Sequence, residues 1–129
     1  MIWTGLDIAT ALSEALDKRP TKSPIFFLCS EQTHSLCLNL LEMAELAVPD
    51  SHIMTVSDGE TAKTLNTCET IFHWLQTQGA LRNALLINVG GGALCDVGGF
   101  CAATYLRGIA FWNIPTTLLA MVDASVGGK

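Results

Sequence analysis

Apolar positions along the chain fall into two patterns that alternate. Short continuous apolar runs are separated by segments in which apolar residues recur every three or four positions. The continuous runs predict buried strands and the periodic segments predict amphipathic helices. The predicted strands cover residues 24–29, 52–56, 84–89 and 109–114. The predicted helices cover residues 7–18, 32–47, 64–78 and 94–105, with a further short helix starting at Thr116 or Thr117.

This alternation of strand and helix predicts an α/β fold with a Rossmann-like parallel sheet flanked by helices. Ligands of such sheets bind at the carboxyl ends of the strands. The places to look for function are therefore the turns after Cys29, Val56, Val89 and Ile114.

The first three helices each have an apolar stripe that we expect to face the sheet. Ser30 is placed to cap the second helix, and Gly79 is placed to end the third. The expected stripes are Ile8, Leu12, Ala15 and Leu16 in the first helix, Leu36, Leu40, Met43 and Ala47 in the second, and Leu65, Cys68, Ile71, Phe72 and Leu75 in the third.

Composition fits a single globular domain. The chain has 129 residues, of which 50% are hydrophobic and 15% charged. The net charge is −5 and the Lys and Arg residues are scattered, so no basic stripe offers a footprint for nucleic acid. No apolar run approaches the ~20 residues needed to cross a bilayer, and the N-terminus lacks the pattern of a signal peptide. We expect a cytoplasmic protein with no membrane partner.

Cysteine and histidine usage points away from disulfides and metals. The five cysteines form no C-x-x-C motif, and reduced, buried thiols are expected. The three histidines are far apart in sequence, so no metal site is expected within this chain.

Residues 83–129 are almost free of charge. They contain eight of the eleven glycines and four charged residues: Asp96, Arg107, Asp123 and Lys129. Isolated charges in an apolar region need partners, because an unpaired buried charge is very costly. The quartet therefore indicates either a prepared polar site or two structural ion pairs.

The run Gly90-Gly91-Gly92 follows a predicted strand and precedes a predicted helix. Bare backbone amides at a helix N-terminus can approach a pyrophosphate, although a plain tight turn would use the same residues. The usual G-x-G-x-x-G fingerprint would need glycine where Cys95 stands. Asp96, in the first turn of the predicted helix, would either complement the helix dipole or bind a ribose or nicotinamide group.

Several other features allow two interpretations. Gly98 and Gly99, inside the predicted helix, favour close packing on the sheet. Arg107 suits a helix C-terminus but could also bind a carboxylate or phosphate. Thr116 and Thr117 could cap a helix or bond a ligand. The segment 58–63 is either a turn with carboxylates at a helix start or a clamp for ribose hydroxyls, and the segment 123–129 on its own would pass as a polar linker.

Together these motifs resemble the 3-dehydroquinate synthase family, over essentially the whole chain and weakly only before Ser57. The motifs are Asp58-Gly59-Glu60-x-x-Lys63, Gly90-Gly91-Gly92-x-x-x-Asp96-x-x-Gly99-Phe100, Tyr105-x-Arg107-Gly108, and Pro115-Thr116-Thr117-Leu118-Leu119-Ala120-x-Val122-Asp123-Ala124-Ser125-Val126-Gly127-Gly128-Lys129.

The resemblance implies that residues 1–129 form the NAD-binding N-terminal half of a two-domain enzyme. In the family a mainly helical C-terminal domain holds a divalent metal, zinc or cobalt, and its ligands would lie beyond Lys129. The implied reaction converts 3-deoxy-D-arabino-heptulosonate 7-phosphate to 3-dehydroquinate and phosphate in the shikimate pathway, with NAD as cofactor. The full-length form would be a homodimer, and the 129-residue chain alone is expected to be inactive, while the sequence leaves open whether it binds NAD on its own.

The resemblance also implies roles for individual residues. Cofactor contacts would come from Asp58, Glu60 and Lys63 on the adenosine side, Gly91, Gly92 and Asp96 at the pyrophosphate and neighbouring ribose, and Thr116, Thr117 and Lys129 near the strand end and nicotinamide. Catalytic residues facing the phosphorylated sugar-acid substrate would be Arg107, Asp123 and Lys129.

The chain departs from the family pattern at three positions. Cys95 replaces a glycine or threonine, and Ala93 replaces a valine. Ser30 stands where some members use an aspartate for NAD, which leaves a contact from Ser30 or Glu31 open.

Three alternatives remain. One is a metal-dependent polyol dehydrogenase, which shares the glycine turn and would accumulate NADH. Another is the corresponding domain of a different sugar-phosphate cyclase. The last is a stand-alone nucleotide-binding or assembly module.

Overall fold

The computed structural model describes residues 8–20 and 22–117. Its helices and strands alternate as the sequence predicts: α1 (Ile8–Asp17), β1 (Ile25–Ser30), α2 (His34–Met43), β2 (Ile53–Val56), α3 (Leu65–Thr77), β3 (Leu85–Gly90), α4 (Gly92–Thr104) and β4 (Ala110–Pro115). Three short 3₁₀ turns cover Asp50–His52, Gly59–Ala62 and Tyr105–Arg107. The short helix expected from Thr116 or Thr117 falls largely outside the described residues.

The four strands form one parallel sheet in the order β2-β1-β3-β4, which confirms the predicted fold class. Ser30 pairs with Val56 at the end of β1, and Gly90 pairs with Pro115 at the end of β3. Because all four strands run in one direction, the turns that follow them meet at a single edge of the sheet.

Both faces of the sheet are covered. Even-numbered β3 positions such as Leu86 belong to a core layer with α3 and α4, while Leu85, Ile87 and Val89 belong to a layer with α1 and α2. Every residue of β3 is buried. Burial of a large aliphatic side chain stabilises the fold by about 1.5–3 kcal/mol, and this two-sided burial explains the unbroken apolar run of the strand.

The predicted apolar stripe of α2 is correct at Leu40 and wrong at its other three positions. Leu36 is 48% exposed, Met43 is 70% exposed, and Ala47 lies exposed beyond the end of the helix. The side chains that do face the core are Cys37, Leu40, Leu41 and Ala44. These positions also have helical spacing, so the sequence carries two overlapping stripes, and the sheet selects the one that places the smaller Cys37 and Ala44 against it.

Two expectations about helix starts also need correction. Leu65 is 79% exposed because it directly follows the N-cap Thr64, whose side chain accepts the Thr67 N–H. The N-cap of α2 is Thr33, whereas the Ser30 hydroxyl accepts the Thr33 N–H at 3.3 Å within the preceding turn.

Gly79 ends α3 as predicted, with a φ of +76° that glycine adopts readily. The five cysteines are buried free thiols, which confirms the expectation from sequence. Within residues 8–20 and 22–117, no helix is both long enough and apolar enough to cross a bilayer.

Candidate functional site

The glycine turn after β3 is the centre of the candidate site. Gly90 ends β3, Gly91 is the N-cap residue, and α4 begins at Gly92. The first amides of a helix have no intrahelical acceptors and carry the positive end of the helix dipole. Gly91 and Gly92 are partly exposed, so a ligand can approach this end of α4.

The strand-end threonines lie against this turn. The Thr116 N–H donates to the carbonyl oxygen of Gly90 at 2.9 Å. A Cβ added to Gly91 would come within 3.3 Å of Cγ2 of Thr117. The structure therefore brings together Gly91, Gly92, Thr116 and Thr117, which the sequence assigned to one site.

Asp96 occupies a different place from the one expected. Because α4 begins at Gly92, Asp96 lies in the second helical turn, and no acidic residue is present in the first. The interpretation of Asp96 as a partner of the helix dipole is therefore wrong. Its Oδ2 instead accepts a hydrogen bond from Nζ of Lys63 at 3.1 Å.

Lys63 links two carboxylates at the mouth of the site. Its Nζ also lies 3.4 Å from Oε2 of Glu60. The hydrogen bond and charge of Asp96, followed by the charge of Glu60, raise the pKa of the Lys63 ammonium. This three-residue network joins the turn after β2 to α4.

Asp58 connects the turns after β1 and β2. Its Oδ1 accepts the Gln32 N–H at 3.0 Å, and its carbonyl oxygen accepts the Thr61 hydroxyl at 2.7 Å. The intervening Gly59 has a φ of +66°, a conformation that favours glycine. The predicted turn at this position is confirmed, and it presents the Asp58 carboxylate to the cleft.

These elements enclose an open cleft of about 470 Å³ at the carboxyl edge of the sheet. Its walls carry one ammonium group, three carboxylates and several hydroxyls. The lining residues are Ser30, Gln32, Thr33, Ser57, Asp58, Gly59, Glu60, Lys63, Gly91, Gly92, Ala93, Leu94, Asp96, Thr116 and Thr117.

Sequence reasoning did not identify Thr33 and Gln32 as part of the cleft. The Thr33 hydroxyl donates to the Val89 carbonyl at 2.8 Å and accepts the Ser30 N–H at 2.8 Å, which ties the ends of β1 and β3 together. The signal was their position directly after a strand, where the turns of a parallel sheet converge.

Arg107 lies away from the cleft. It follows the C-terminal end of α4, and a 13-residue helix separates its two ends by ~20 Å. Its side chain is exposed, and its φ of +70° is uncommon for a residue other than glycine. Asp123 and Lys129 lie outside the described residues.

The described residues contain no group of three His, Cys, Asp or Glu side chains able to hold a metal ion. They do fit a dinucleotide. A diphosphate needs hydrogen-bond donors and room to approach the backbone. The cleft provides backbone amides at the start of α4 and the hydroxyls of Thr116 and Thr117, and Gly91 has no side chain to block the approach.

Together the parallel sheet and the glycine turn at its carboxyl edge define a Rossmann-like α/β domain. A family model for the 3-dehydroquinate synthase N-terminal domain matches residues 53–129. The chain belongs to the 3-dehydroquinate synthase family.

Curated relatives agree with this assignment. The chain is 42% identical over 129 residues to 3-dehydroquinate synthase from Syntrophotalea carbinolica, covering 99% of this chain and 36% of the relative. It is 42% identical over 116 residues to the Campylobacter jejuni enzyme, covering 90% of this chain and 33% of the relative. The chain thus spans about a third of the length of the relatives it matches.

Solved structures show the same fold. A 2-epi-5-epi-valiolone synthase from Streptomyces hygroscopicus with NAD⁺ and Zn²⁺ bound superposes with a TM-score of 0.81 at 25% identity, over 98% of this chain and 35% of that one. A 2-deoxy-scyllo-inosose synthase complexed with carbaglucose-6-phosphate, NAD⁺ and Co²⁺ gives 0.73 at 30% identity, over 88% and 31%. An iron-containing alcohol dehydrogenase from Corynebacterium glutamicum gives 0.65 at 19% identity, over 84% and 27%, and shares the fold alone.

Proposed function

We propose that this chain is the NAD-binding domain of a 3-dehydroquinate synthase. The whole protein would convert 3-deoxy-D-arabino-heptulosonate 7-phosphate to 3-dehydroquinate and phosphate, an elimination of phosphate in the shikimate pathway. The observation that carries the proposal is the glycine turn at the start of α4, which lies against Thr116 and Thr117 and lines a polar cleft together with them. The family match and the NAD⁺ held by related structures support it.

The diphosphate of NAD would lie against Gly91 and Gly92. There the backbone amides donate hydrogen bonds and the α4 dipole favours negative charge. Thr116 and Thr117 would add hydroxyl donors from the end of β4, and Asp96 would lie beside the neighbouring ribose. The adenosine would extend toward Lys63 and toward Asp58 and Glu60, whose carboxylates can accept hydrogen bonds from ribose hydroxyls.

NAD, when bound, supplies the redox step by accepting a hydride from the substrate and returning it later. The protein groups bind and orient. Lys129 would lie close to both the nicotinamide and the substrate, and Asp123 would also face the phosphorylated sugar acid. Arg107 lies ~20 Å from the glycine turn, at the other end of α4, so its predicted contact with the substrate would be made outside this cleft. The left-handed backbone of Arg107 supports a functional role, because strained conformations persist mainly where surrounding structure imposes them.

The remaining two thirds of the protein would provide the divalent metal, zinc or cobalt, and the homodimer contacts. Because the resemblance places the metal ligands in that part of the protein, the chain alone is expected to be inactive. The five buried free thiols support a reducing compartment, the cytoplasm.

The experiment that tests this function follows phosphate and NADH together. The protein that carries this domain should release phosphate from the heptulosonate phosphate when NAD is present, without net accumulation of NADH. Net NADH formation from a polyol would instead indicate a dehydrogenase. Cyclisation of a different sugar phosphate would indicate another sugar-phosphate cyclase, the class to which two of the structural neighbours belong. The pure 129-residue chain serves as the inactive control.

A further inference from the structure

Two free thiols lie side by side between α3 and α4. Cys68 belongs to α3 and Cys101 to α4, and both are part of the same core layer. Cys101 is fully buried. Burial, followed by the charge and the hydrogen bond of the neighbouring Cys68 thiol, raises the pKa of Cys101. The two sulfur atoms are therefore neighbours within one helix–helix interface.

The packing of the two helices keeps this pair of thiols together. Both helices connect parallel strands on the same face of the sheet, so they run in the same direction. Lys63 donates a hydrogen bond to Asp96 at 3.1 Å. Cys68 and Cys101 each follow five residues later, so they lie at matching levels of the interface. Cα atoms of α3 and α4 come within 8 Å of each other, and a disulfide joins Cα atoms up to about 7 Å apart. A small approach of the helices is therefore enough to link the two thiols.

The two thiols differ in their access to solvent. Cys68 is 7% exposed and lines a surface groove of about 260 Å³ together with Leu65 and Phe100. A small oxidant that enters this groove reaches the sulfur of Cys68, whereas Cys101 has no exposed surface. Cys68 is therefore the thiol that reacts first, and Cys101 is the thiol that can react with it from within the core.

A second pair of neighbouring thiols, Cys29 and Cys37, is enclosed on the other face of the sheet. The hydrogen bond from Cys37, together with that from Thr55, lowers the pKa of Cys29 to about 6. This increases the thiolate fraction at pH 7 by about thirtyfold. Neither sulfur is exposed, however, and a packed core opens in about one molecule in a thousand or fewer. Burial outweighs the gain in thiolate, so this pair serves as an internal comparison.

We propose that Cys68 and Cys101 form a modification site that hydrogen peroxide oxidises to a reversible disulfide between α3 and α4. The Cys68 thiolate attacks one peroxide oxygen, the O–O bond breaks, and the departing hydroxide takes up a proton and leaves as water. The Cys101 sulfur then attacks the sulfur of the Cys68 sulfenic acid. The S–S bond forms as the S–O bond breaks, and the proton of Cys101 leaves with the hydroxide as a second water. The two thiols lose two electrons, which reduce the peroxide.

The disulfide fixes the spacing of α3 and α4 beside the contact between Lys63 and Asp96. It closes a loop that contains β3 and the glycine turn, and a cross-link of this kind stabilises a fold mainly by restricting the unfolded chain. Disulfides of proteins in reducing compartments are usually transient and sense the redox state. The site therefore responds to peroxide and is reset by thiol reductants.

Peptide mapping of the native 129-residue chain tests the pairing. The chain is treated with hydrogen peroxide at neutral pH, its remaining thiols are blocked, and trypsin then separates residues 64–82 from residues 83–107. The mass of the chain should fall by about 2 Da, because two hydrogen atoms are lost when the disulfide forms. The two peptides should be joined, and dithiothreitol should release them.

Three variants assign the linkage to individual thiols. Cys101→Ala should lose the linkage and retain Cys68 as a sulfenic acid that dimedone traps, whereas Cys68→Ala should show neither product. Cys95→Ala is the matched control, because it removes the other cysteine of the second peptide and should keep the linkage. Peroxide should raise the Tm of the original chain and of Cys95→Ala by at least about 5 °C and leave that of Cys101→Ala unchanged.

Other results would overturn the proposal. Peptide 64–82 that stays unlinked after peroxide treatment would show that the two thiols do not pair. Faster loss of the Cys29 and Cys37 thiols would show that the thiolate fraction decides the reaction and not access. Linkage that increases with protein concentration would show bonds between chains. If the alanine variants do not fold, fragmentation of the joined peptides from the original chain still distinguishes Cys101 from Cys95.

Discussion

Asn88 and Gly98 occupy complementary positions: a Cβ added at Gly98 would lie 2.0 Å from Oδ1 of Asn88. Asn88 is fully buried on β3, where its Nδ2 donates to Oδ1 of Asn113 on β4 at 2.9 Å while its own Oδ1 has no hydrogen-bond partner. A polar amide in the central strand thus occupies the space that the missing side chain of Gly98 leaves. The glycine in α4 is required by this contact, as the preference for tight helix–sheet packing predicted.

Gly98→Ala should destabilise the domain. The overlap with Asn88 costs about 1–3 kcal/mol, which outweighs the ~1 kcal/mol that alanine gains over glycine within a helix. Adding Asn88→Ala removes the overlapping amide, so the double variant should lose less free energy of unfolding than the sum of the losses in the two single variants. Urea unfolding of the original chain, the two single variants and the double variant measures this coupling free energy. Additivity within ~0.5 kcal/mol would show that the two residues do not compete for space.

Ionisation of Tyr105 should lower the free energy of unfolding at alkaline pH. Its hydroxyl donates to the Ala80 carbonyl at 2.8 Å, and burial raises the pKa of this phenol. Because the pKa of Tyr105 is higher in the folded than in the unfolded state, its hydrogen bond contributes fully to the free energy of unfolding below the unfolded-state pKa of ~10. This contribution is lost as the pH rises through the folded-state pKa. Tyr105→Phe should cost about 1 kcal/mol at neutral pH and reduce the alkaline loss.

Tyr105 is the only tyrosine in the chain, so ultraviolet absorbance of the phenolate follows it directly. In urea its titration should move to lower pH than in the folded protein. Identical titrations in the two states would contradict the buried hydrogen bond.

The five cysteines should react slowly with a thiol reagent in the folded protein and together after unfolding. Burial raises the pKa of the Cys101 thiol, which further lowers its share of reactive thiolate at neutral pH. Cys68, which lines a surface groove beside Leu65 and Phe100, should be modified first. Cys68→Ala should remove the earliest phase, and rapid reaction of all five thiols in the native protein would show that the core is more open than described.

The central strands β1 and β3 were predictable because they are buried on both faces and therefore form continuous apolar runs, whereas the edge strands β2 and β4 are only partly buried. The carboxyl-edge site was predictable for a related reason, since parallel strands bring their following turns to one edge. The proximity of Gly91 to Thr117 follows from the glycine turn and from the rule that the turns after parallel strands lie at one edge of the sheet.

Other features needed the three-dimensional structure. The buried face of α2 could not be chosen from two overlapping stripes with helical spacing, because the choice depends on what the sheet accommodates. The ion pair between Lys63 and Asp96 joins residues 33 positions apart, beyond the reach of local periodicity. The start of α4 was predicted two residues too late because glycine at 92 suggested a turn, and the error placed Asp96 in the first helical turn when it lies in the second.

The central claim is that the glycine turn before α4 receives the diphosphate of NAD. Gly91 has an extended backbone that any residue can adopt, and a side chain there would point toward Thr117 at 3.3 Å, so Gly91→Val should fold while obstructing the cleft. Ala110→Val, at the exposed opposite end of β4, is the matched control. Calorimetric titration with NAD should show saturable binding to the chain and to Ala110→Val, and at least about tenfold weaker binding to Gly91→Val. Equal affinity for all three proteins would contradict the account.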